Sequence, residues 1–302
     1  MSENPSPSDS PPSQPPRILI AGCGFVGLAT ARLFVRAGWE VIGCTHSVES
    51  AIQLAGEDFE VVACDIGERS AIEKLAHLRG LEAVVHCASS GRGGADAYRR
   101  VYLAGAQNLA EVLAPKTLLF TSSTSVYAQT DGAWVTEKSA AEPDRETGRV
   151  LRETEELVLA AGGIVARLAG IYGPGRSVLL RKFLDGAAMI EGGGGKWINQ
   201  AHRDDIANAL QTLIGTGARG IFNVADDTPL TQRAVYEWLA ARFEKPIPPS
   251  GPVDTNRKRA WTSKRVSNAR LRALGWQPRF ASFFDALEKD VELIRAAQSV
   301  PS

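Results

Sequence analysis

Seven short apolar runs punctuate the chain, at 18–20 (ILI), 40–44 (EVIGC), 60–64 (EVVAC), 83–86 (AVVH), 117–121 (TLLFT), 164–168 (IVARL) and 220–224 (GIFNV). Apolarity that is continuous rather than alternating, over runs this short, is the pattern of strands covered on both faces. Between the runs, apolar residues recur at helical spacing near 68–78, 96–113 and 145–161, and a further helical pattern starts near Phe25. Strand and helix in alternation predict an α/β protein with a parallel sheet. The stretches 171–195 and 226–302 are expected to form a smaller C-terminal substrate lobe at the carboxyl edge of that sheet. The core is then 17–170, with 196–225 returning to it, and 1–16 (MSENPSPSDSPPSQPP) is too polar to repay the entropy of ordering, so it reads as a disordered tail.

The segment 17–38 (RILIAGCGFVGLATARLFVRAG) carries the first chemistry. Gly22, Gly24 and Gly27 fill the three glycine places of G-x-G-x-x-G, directly after a strand and directly before a helix. The first glycine permits a tight turn, the second lets the backbone approach a pyrophosphate, and the third lets helix and strand pack closely. The helix start then aims free N–H groups at the phosphates. Gly22, Cys23, Gly24, Phe25, Val26 and Gly27 are therefore expected to cradle a pyrophosphate in a Rossmann-type doubly wound sheet. At the end of the second strand, a carboxylate would bind an NAD ribose and repel the extra phosphate of NADP. Thr45, His46 and Ser47 stand there instead, and no carboxylate follows until Glu49, so NADP is favoured over NAD.

Composition narrows the setting. Lys plus Arg balances Asp plus Glu at 34 each over 302 residues, so no global field recruits nucleic acid or an anionic membrane. No apolar run approaches the ~20 residues of a membrane helix, and no signal core opens the chain, which points to the cytoplasm. Cys23, Cys44, Cys64 and Cys87 lack both C-x-x-C spacing and a metal-spaced His, so no metal site is expected. Each falls at the carboxyl end of an early strand, where a small apolar side chain suits a crowded edge; a redox or substrate-facing thiol is the alternative. Arg257, Lys258 and Arg259, with Lys264 and Arg265, flank Trp261 in the most basic stretch. That stretch is either a solvated loop or a phosphate clamp for a small-molecule substrate.

Taken together, these residues resemble the extended and atypical short-chain dehydrogenase/reductases of the NAD-dependent epimerase/dehydratase group, from Arg17 to about Phe280. Asp65 and Ile66 are similar to the family's acidic pair that meets adenine. His86, Cys87, Ala88 and Ser89 resemble its H-x-A-A turn beside the cofactor. The run 101–109 (VYLAGAQNL) resembles N-V-x-G-T-x-N-L, with Asn108 kept and Tyr102 in place of the first Asn. The run 121–127 (TSSTSVY) resembles S-S-x-x-V-Y, which puts Ser123 at the catalytic serine position, four residues before Tyr127. The resemblance also implies a Tyr-x-x-x-Lys pair, and here the chain departs from it. Thr147 stands at the Tyr position and Leu151 at the Lys position, and no Tyr anywhere in the chain is followed four residues later by Lys. An aliphatic hydroxyl does not ionise usefully near neutral pH, and leucine cannot stabilise a phenolate. Two readings stay open. Either a relocated acid, with Tyr127, Tyr172 or Lys138 as candidates, works beside Ser123 in hydride transfer on a carbonyl or alcohol such as a nucleotide sugar, or the fold is a dinucleotide-dependent redox sensor or scaffold. A homodimer is the oligomeric state to test.

Overall fold

The computed structural model describes residues 14–91, 93–254 and 261–298. The tail expectation for 1–16 lies outside them except for its last three residues, as do Arg257, Lys258 and Arg259 of the basic stretch. Five strands open the sheet: β1 (Arg17–Ala21), β2 (Glu40–Thr45), β3 (Glu60–Ala63), β4 (Ala83–His86) and β5 (Thr117–Ser123). Further along the chain come β6 (Ile164–Leu168), the short β7 (Gly170–Tyr172) and β8 (Gln200–His202), and β9 (Gly220–Val224). Seven of these form one sheet in the order β9-β6-β5-β4-β1-β2-β3, and every pairing in it is parallel. The order reverses between β1 and β4, and in open α/β sheets ligands bind outside the carboxyl ends of strands at such a reversal.

Each central strand is buried on both faces; Ile18, Leu19 and Ile20 are fully enclosed, which is why the runs read as unbroken apolarity. The covering helices are α1 (Phe25–Arg36), α2 (Val48–Gln53), α3 (Arg69–Glu73), a long helix α4 over 95–113, and α5 (Glu146–Ala160). Within α4 the turns at Arg99–Ala104 and Leu109–Leu113 are wound as π-helix. The His86 ring takes the Val101 carbonyl at Nε2, 3.0 Å away, so the wide turn gives a buried side chain a backbone acceptor.

A second apolar cluster builds the lobe from α6 (Val178–Leu184), α8 (Gln232–Phe243), α9 (Phe283–Lys289) and α10 (Val291–Gln298), around Phe183, Tyr236, Leu239, Phe280 and Leu287. The helix α7 (Arg203–Gly215) returns to the core and packs on α1. One part of the stretch expected in the lobe sits elsewhere: Val266, Leu271 and Trp276 join the main core. Trp276 donates its indole N–H to the Asp205 carbonyl at 3.3 Å, which fixes this segment to the start of α7. Among the described residues no helix is long and apolar enough to cross a membrane.

Candidate dinucleotide site

The glycine turn has the geometry its sequence demands. Gly22 has φ +105°, and a Cβ there would lie 2.4 Å from the backbone nitrogen of Ala88, so only glycine fits between β1 and the turn after β4. A Cβ on Gly27 would lie 2.0 Å from the Gly22 carbonyl oxygen, whereas one on Gly24 would meet nothing within 4 Å. The outer glycines thus close the turn on itself, and the middle one faces open space where a ligand can approach. The first intrahelical bond of α1 runs from the Leu28 N–H to the Gly24 carbonyl at 2.9 Å, leaving the amides of Phe25, Val26 and Gly27 without a helical acceptor. No acidic residue occupies the first turn of α1 to compete for them.

Phe25 and Val26 line a cleft of about 350 Å³. One wall is Gly22, Gly24, Phe25 and Val26 with Cys87, Ala88 and Ser89; the other includes Ser122, Ser123, Leu151, Leu168, Ala169, Ile171 and Arg176, and Tyr98 and Tyr102 close one side. A pyrophosphate-bearing cofactor fits this cradle, because glycine space, free helix amides and an absence of carboxylates coincide. The Ser123 Oγ accepts the Ser125 N–H at 3.1 Å, so this serine caps the turn while its own O–H remains available to the cleft. The Tyr102 hydroxyl accepts the Ser90 N–H at 3.3 Å.

The residues expected to meet the adenosine do not line this cleft but form their own corner at the ends of β2 and β3. Thr45 donates to the Ser47 carbonyl at 3.2 Å, Ser47 caps α2, and His46 Nδ1 lies 3.6 Å from Asp65 Oδ2. Asp65 also accepts the Gly67 N–H at 3.0 Å and pairs with Arg100. Ile66 is buried, and its carbonyl is held by Asn108 Nδ2 at 2.9 Å. His86 is wholly enclosed against Phe120, and burial lowers its pKa to about 4. Burial likewise pushes the thiols of Cys23 and Cys87 up to about 12, so both stay protonated and behave as small apolar groups. No group of His, Cys, Asp and Glu able to hold a metal occurs among the described residues.

The candidate relocated acids are not brought to the cleft. The Tyr127 phenol is fully buried, donates to Asn223 Oδ1 at 2.9 Å and accepts from Arg167 Nη1 at 2.9 Å. Arg167 in turn grips Glu155 through Nε at 2.9 Å and Nη2 at 2.6 Å. Desolvation raises the Tyr127 pKa, outweighing the neighbouring guanidinium. Tyr172 is enclosed in the lobe core with its hydroxyl unpartnered and its pKa also raised by burial, and Lys138 is exposed and does not line the cleft. Leu151 lines the cleft at 5% exposure, while Thr147 opens onto a separate shallow recess with Ser125, Pro143 and Thr262.

Of the basic stretch, Lys264 is buried and donates to the Tyr127 carbonyl at 2.8 Å, and Arg265 stacks against Trp134 and Trp197. Those two therefore brace the fold rather than clamp a phosphate. Sequence reasoning missed Tyr98 and Arg176 as cleft residues and Arg100 as the partner of Asp65. Tyr98 and Tyr102 sit four apart, and their rings meet edge to face at 4.9 Å, a signal that helical spacing carried. Arg176 directly follows the 173–175 Gly-Pro-Gly turn.

A parallel sheet with this loop at its order reversal defines a Rossmann-type α/β protein. More particularly, the chain belongs to the NAD dependent epimerase/dehydratase family, whose family model matches residues 18–225. It is similar to a Methylobacillus flagellatus structure described by family as an NAD-dependent epimerase/dehydratase, at 28% identity and TM-score 0.76 over 94% of this chain and 99% of that one. A functionally unknown conserved protein from Silicibacter pomeroyi is similar at 26% identity and TM-score 0.71 over 92% and 99%. The Thermotoga maritima UDP-glucose 4-epimerase, solved with UDP-glucose, shares the fold at 19% identity and TM-score 0.78 over 94% and 100%. No curated protein matches the chain.

Proposed function

We propose that this protein binds a nicotinamide dinucleotide, NADP(H) in preference to NAD(H), and reduces a carbonyl group of a small-molecule substrate in the cleft. The convergence of the glycine-loop amides with the Ser123 and Tyr102 hydroxyls on one cavity carries the reading. When bound, the dinucleotide supplies hydride. Gly24, Phe25, Val26 and Gly27 hold its diphosphate, Cys87, Ala88 and Ser89 run beside it, and Thr45, His46 and Ser47 receive the adenosine ribose, with Asp65 and Ile66 near the adenine. The preference for NADP(H) rests on the missing carboxylate at the end of β2 and on the exposed His46 imidazole.

Ser123 and Tyr102 donate hydrogen bonds to the carbonyl oxygen and stabilise the negative charge that develops on it. The direction of reaction follows from Leu151. With leucine in the lysine position, the cation that in the family pattern would hold a phenolate for alcohol oxidation is missing, whereas reduction needs only a phenol O–H as donor. Reduction uses the phenol as an acid; oxidation of an alcohol, with which epimerase chemistry begins, needs it as a base. The test is absorbance of the nicotinamide band with NADPH across aldehydes, ketones and keto-sugar nucleotides. Turnover that falls at least tenfold in Tyr102→Phe and Ser123→Ala is expected. Tight NADPH binding with no turnover on any carbonyl would instead identify a redox sensor.

A further inference from the structure

We infer that Arg176, braced by Phe25 and Arg203, closes on the diphosphate of the bound dinucleotide from the lobe side, opposite the glycine loop. The inference rests on the cofactor reading above. Gly173 and Arg176 are joined by two backbone hydrogen bonds, each 2.9 Å, which close the Gly-Pro-Gly-Arg segment into a rigid turn. That turn is seated on the start of α1. Gly173 has φ +155°, and a Cβ there would come within 3.1 Å of Arg203 Cβ and 3.3 Å of the tip of the Phe25 ring. Two guanidiniums share that ring: Arg176 Cζ is 5.4 Å from its centroid and Arg203 Cζ 5.2 Å.

Their electrostatic situations differ. Arg203 is neutralised by Asp204 at 2.8 Å, whereas the Arg176 guanidinium makes no hydrogen bond or ion pair among the described residues. It stands beside the positive end of a twelve-residue helix whose cap has no side-chain acceptor and whose first turn has no acid. A cation there is repelled by the helix dipole and by Arg203, and attraction to the Phe25 face offsets only part of this. An anion between Arg176 and the helix amides removes the conflict, and the guanidinium fork matches two phosphate oxygens. Since Arg176 lines the same cleft as Gly24, the diphosphate is the anion within reach. The cofactor then ties lobe to core.

The experiment is calorimetric titration of the full chain with ADP-ribose, which carries the diphosphate but no nicotinamide, at low and high KCl. Arg176→Gln is expected to weaken ADP-ribose binding tenfold or more and to flatten its salt dependence, with Arg176→Lys between the two. Because Arg176 is exposed, the unliganded melting temperature of Arg176→Gln should match or exceed that of the unchanged protein, while its ligand-induced rise should shrink. Equal ADP-ribose affinity in Arg176→Gln and the unchanged protein would overturn the clamp and leave the cofactor reading standing. Failure of the unchanged protein to bind ADP-ribose, NADPH or NADH would overturn both.

Discussion

The two walls of the cleft follow different rules. On the β1–α1 wall, every feature proposed to receive a dinucleotide is a backbone feature: the glycine turn, the free amides of α1 and the tight approach of Gly22 to Ala88. On the α5 wall, the chemistry of the family would reside in side chains, and α5 carries Leu151 in the cleft and Thr147 on a neighbouring recess. The glycine loop and the family's Tyr and Lys positions therefore sit on separate elements, so one can be kept while the other changes. Behind the α5 wall the polar groups serve a different purpose. Glu155 and Arg167 are almost completely enclosed, and Ser122 donates to Glu155 Oε1 at 2.6 Å, so the network fixes β5 and β6 to the helix.

The largest effect expected is at that network. Glu155→Ala leaves the Arg167 guanidinium buried without its carboxylate, at a cost of about 3–5 kcal/mol. Adding Arg167→Met to that variant should restore part of the loss, because the uncompensated charge goes with it. Urea unfolding of the single and double variants reads this directly. A single variant within about 1 kcal/mol of the unchanged protein would mean that the second wall is not held by its ion pair.

The binding wall has its own sensitivity, to acid. His86 is neutral when folded, with a pKa near 4 against an ordinary 6.5, so between those values the unfolded chain takes up a proton that the folded one refuses. Stability from this group is full above pH 6.5 and declines as pH falls toward 4, by about 3 kcal/mol in all. Asp205 opposes it, since burial raises its pKa to about 6 and the folded state then gains protons first on acidification. His202, lowered by burial, acts in the same sense as His86. Comparison of the unchanged protein with His86→Gln isolates one contribution, the amide being able to donate to the Val101 carbonyl in place of Nε2. Unfolding free energies between pH 6.5 and 4.5 should fall less steeply in the variant. Parallel profiles would show that His86 is protonated in place.

How far each wall could be read in the sequence follows from the same distinction. Runs such as 83–86, 164–168 and 220–224 mark their strands to the residue, because strands enclosed on both faces leave an uninterrupted apolar imprint. α2 left none: it buries no residue and so has no apolar stripe to detect. The glycine turn was legible because steric necessity writes glycine into the sequence. Tyr127 was not, since its fate depends on Arg167, 40 residues away, and on the register that sets Ser122 opposite Arg167. A signal did exist, for an arginine inside the run IVARL must find a buried acid. Arg176 was illegible for a similar reason, its neighbour Phe25 lying far back in the chain.

The smallest change in stability, and the sharpest test of the comparison, comes from rebuilding the second wall as Thr147→Tyr with Leu151→Lys. If only side-chain identity separates this wall from the family pattern, the pair should be accommodated. Leu151 borders the open cleft, so a lysine there can extend its ammonium into solvent along an apolar stem, and Thr147 is only half-buried. The cost expected is about 1–2 kcal/mol, within the range of ordinary single substitutions. The introduced phenol, one helical turn from the introduced ammonium, should ionise below the usual tyrosine range, and ultraviolet difference titration against Leu151→Lys alone reads that ionisation. With a base restored, alcohol oxidation should appear beside reduction, and its rate should rise with pH. A fold lost in the double variant would mean instead that Pro143, Ser125 and Thr262, which share the Thr147 recess, have closed that face against any larger side chain. The second wall would then differ from the first in shape as well as in chemistry.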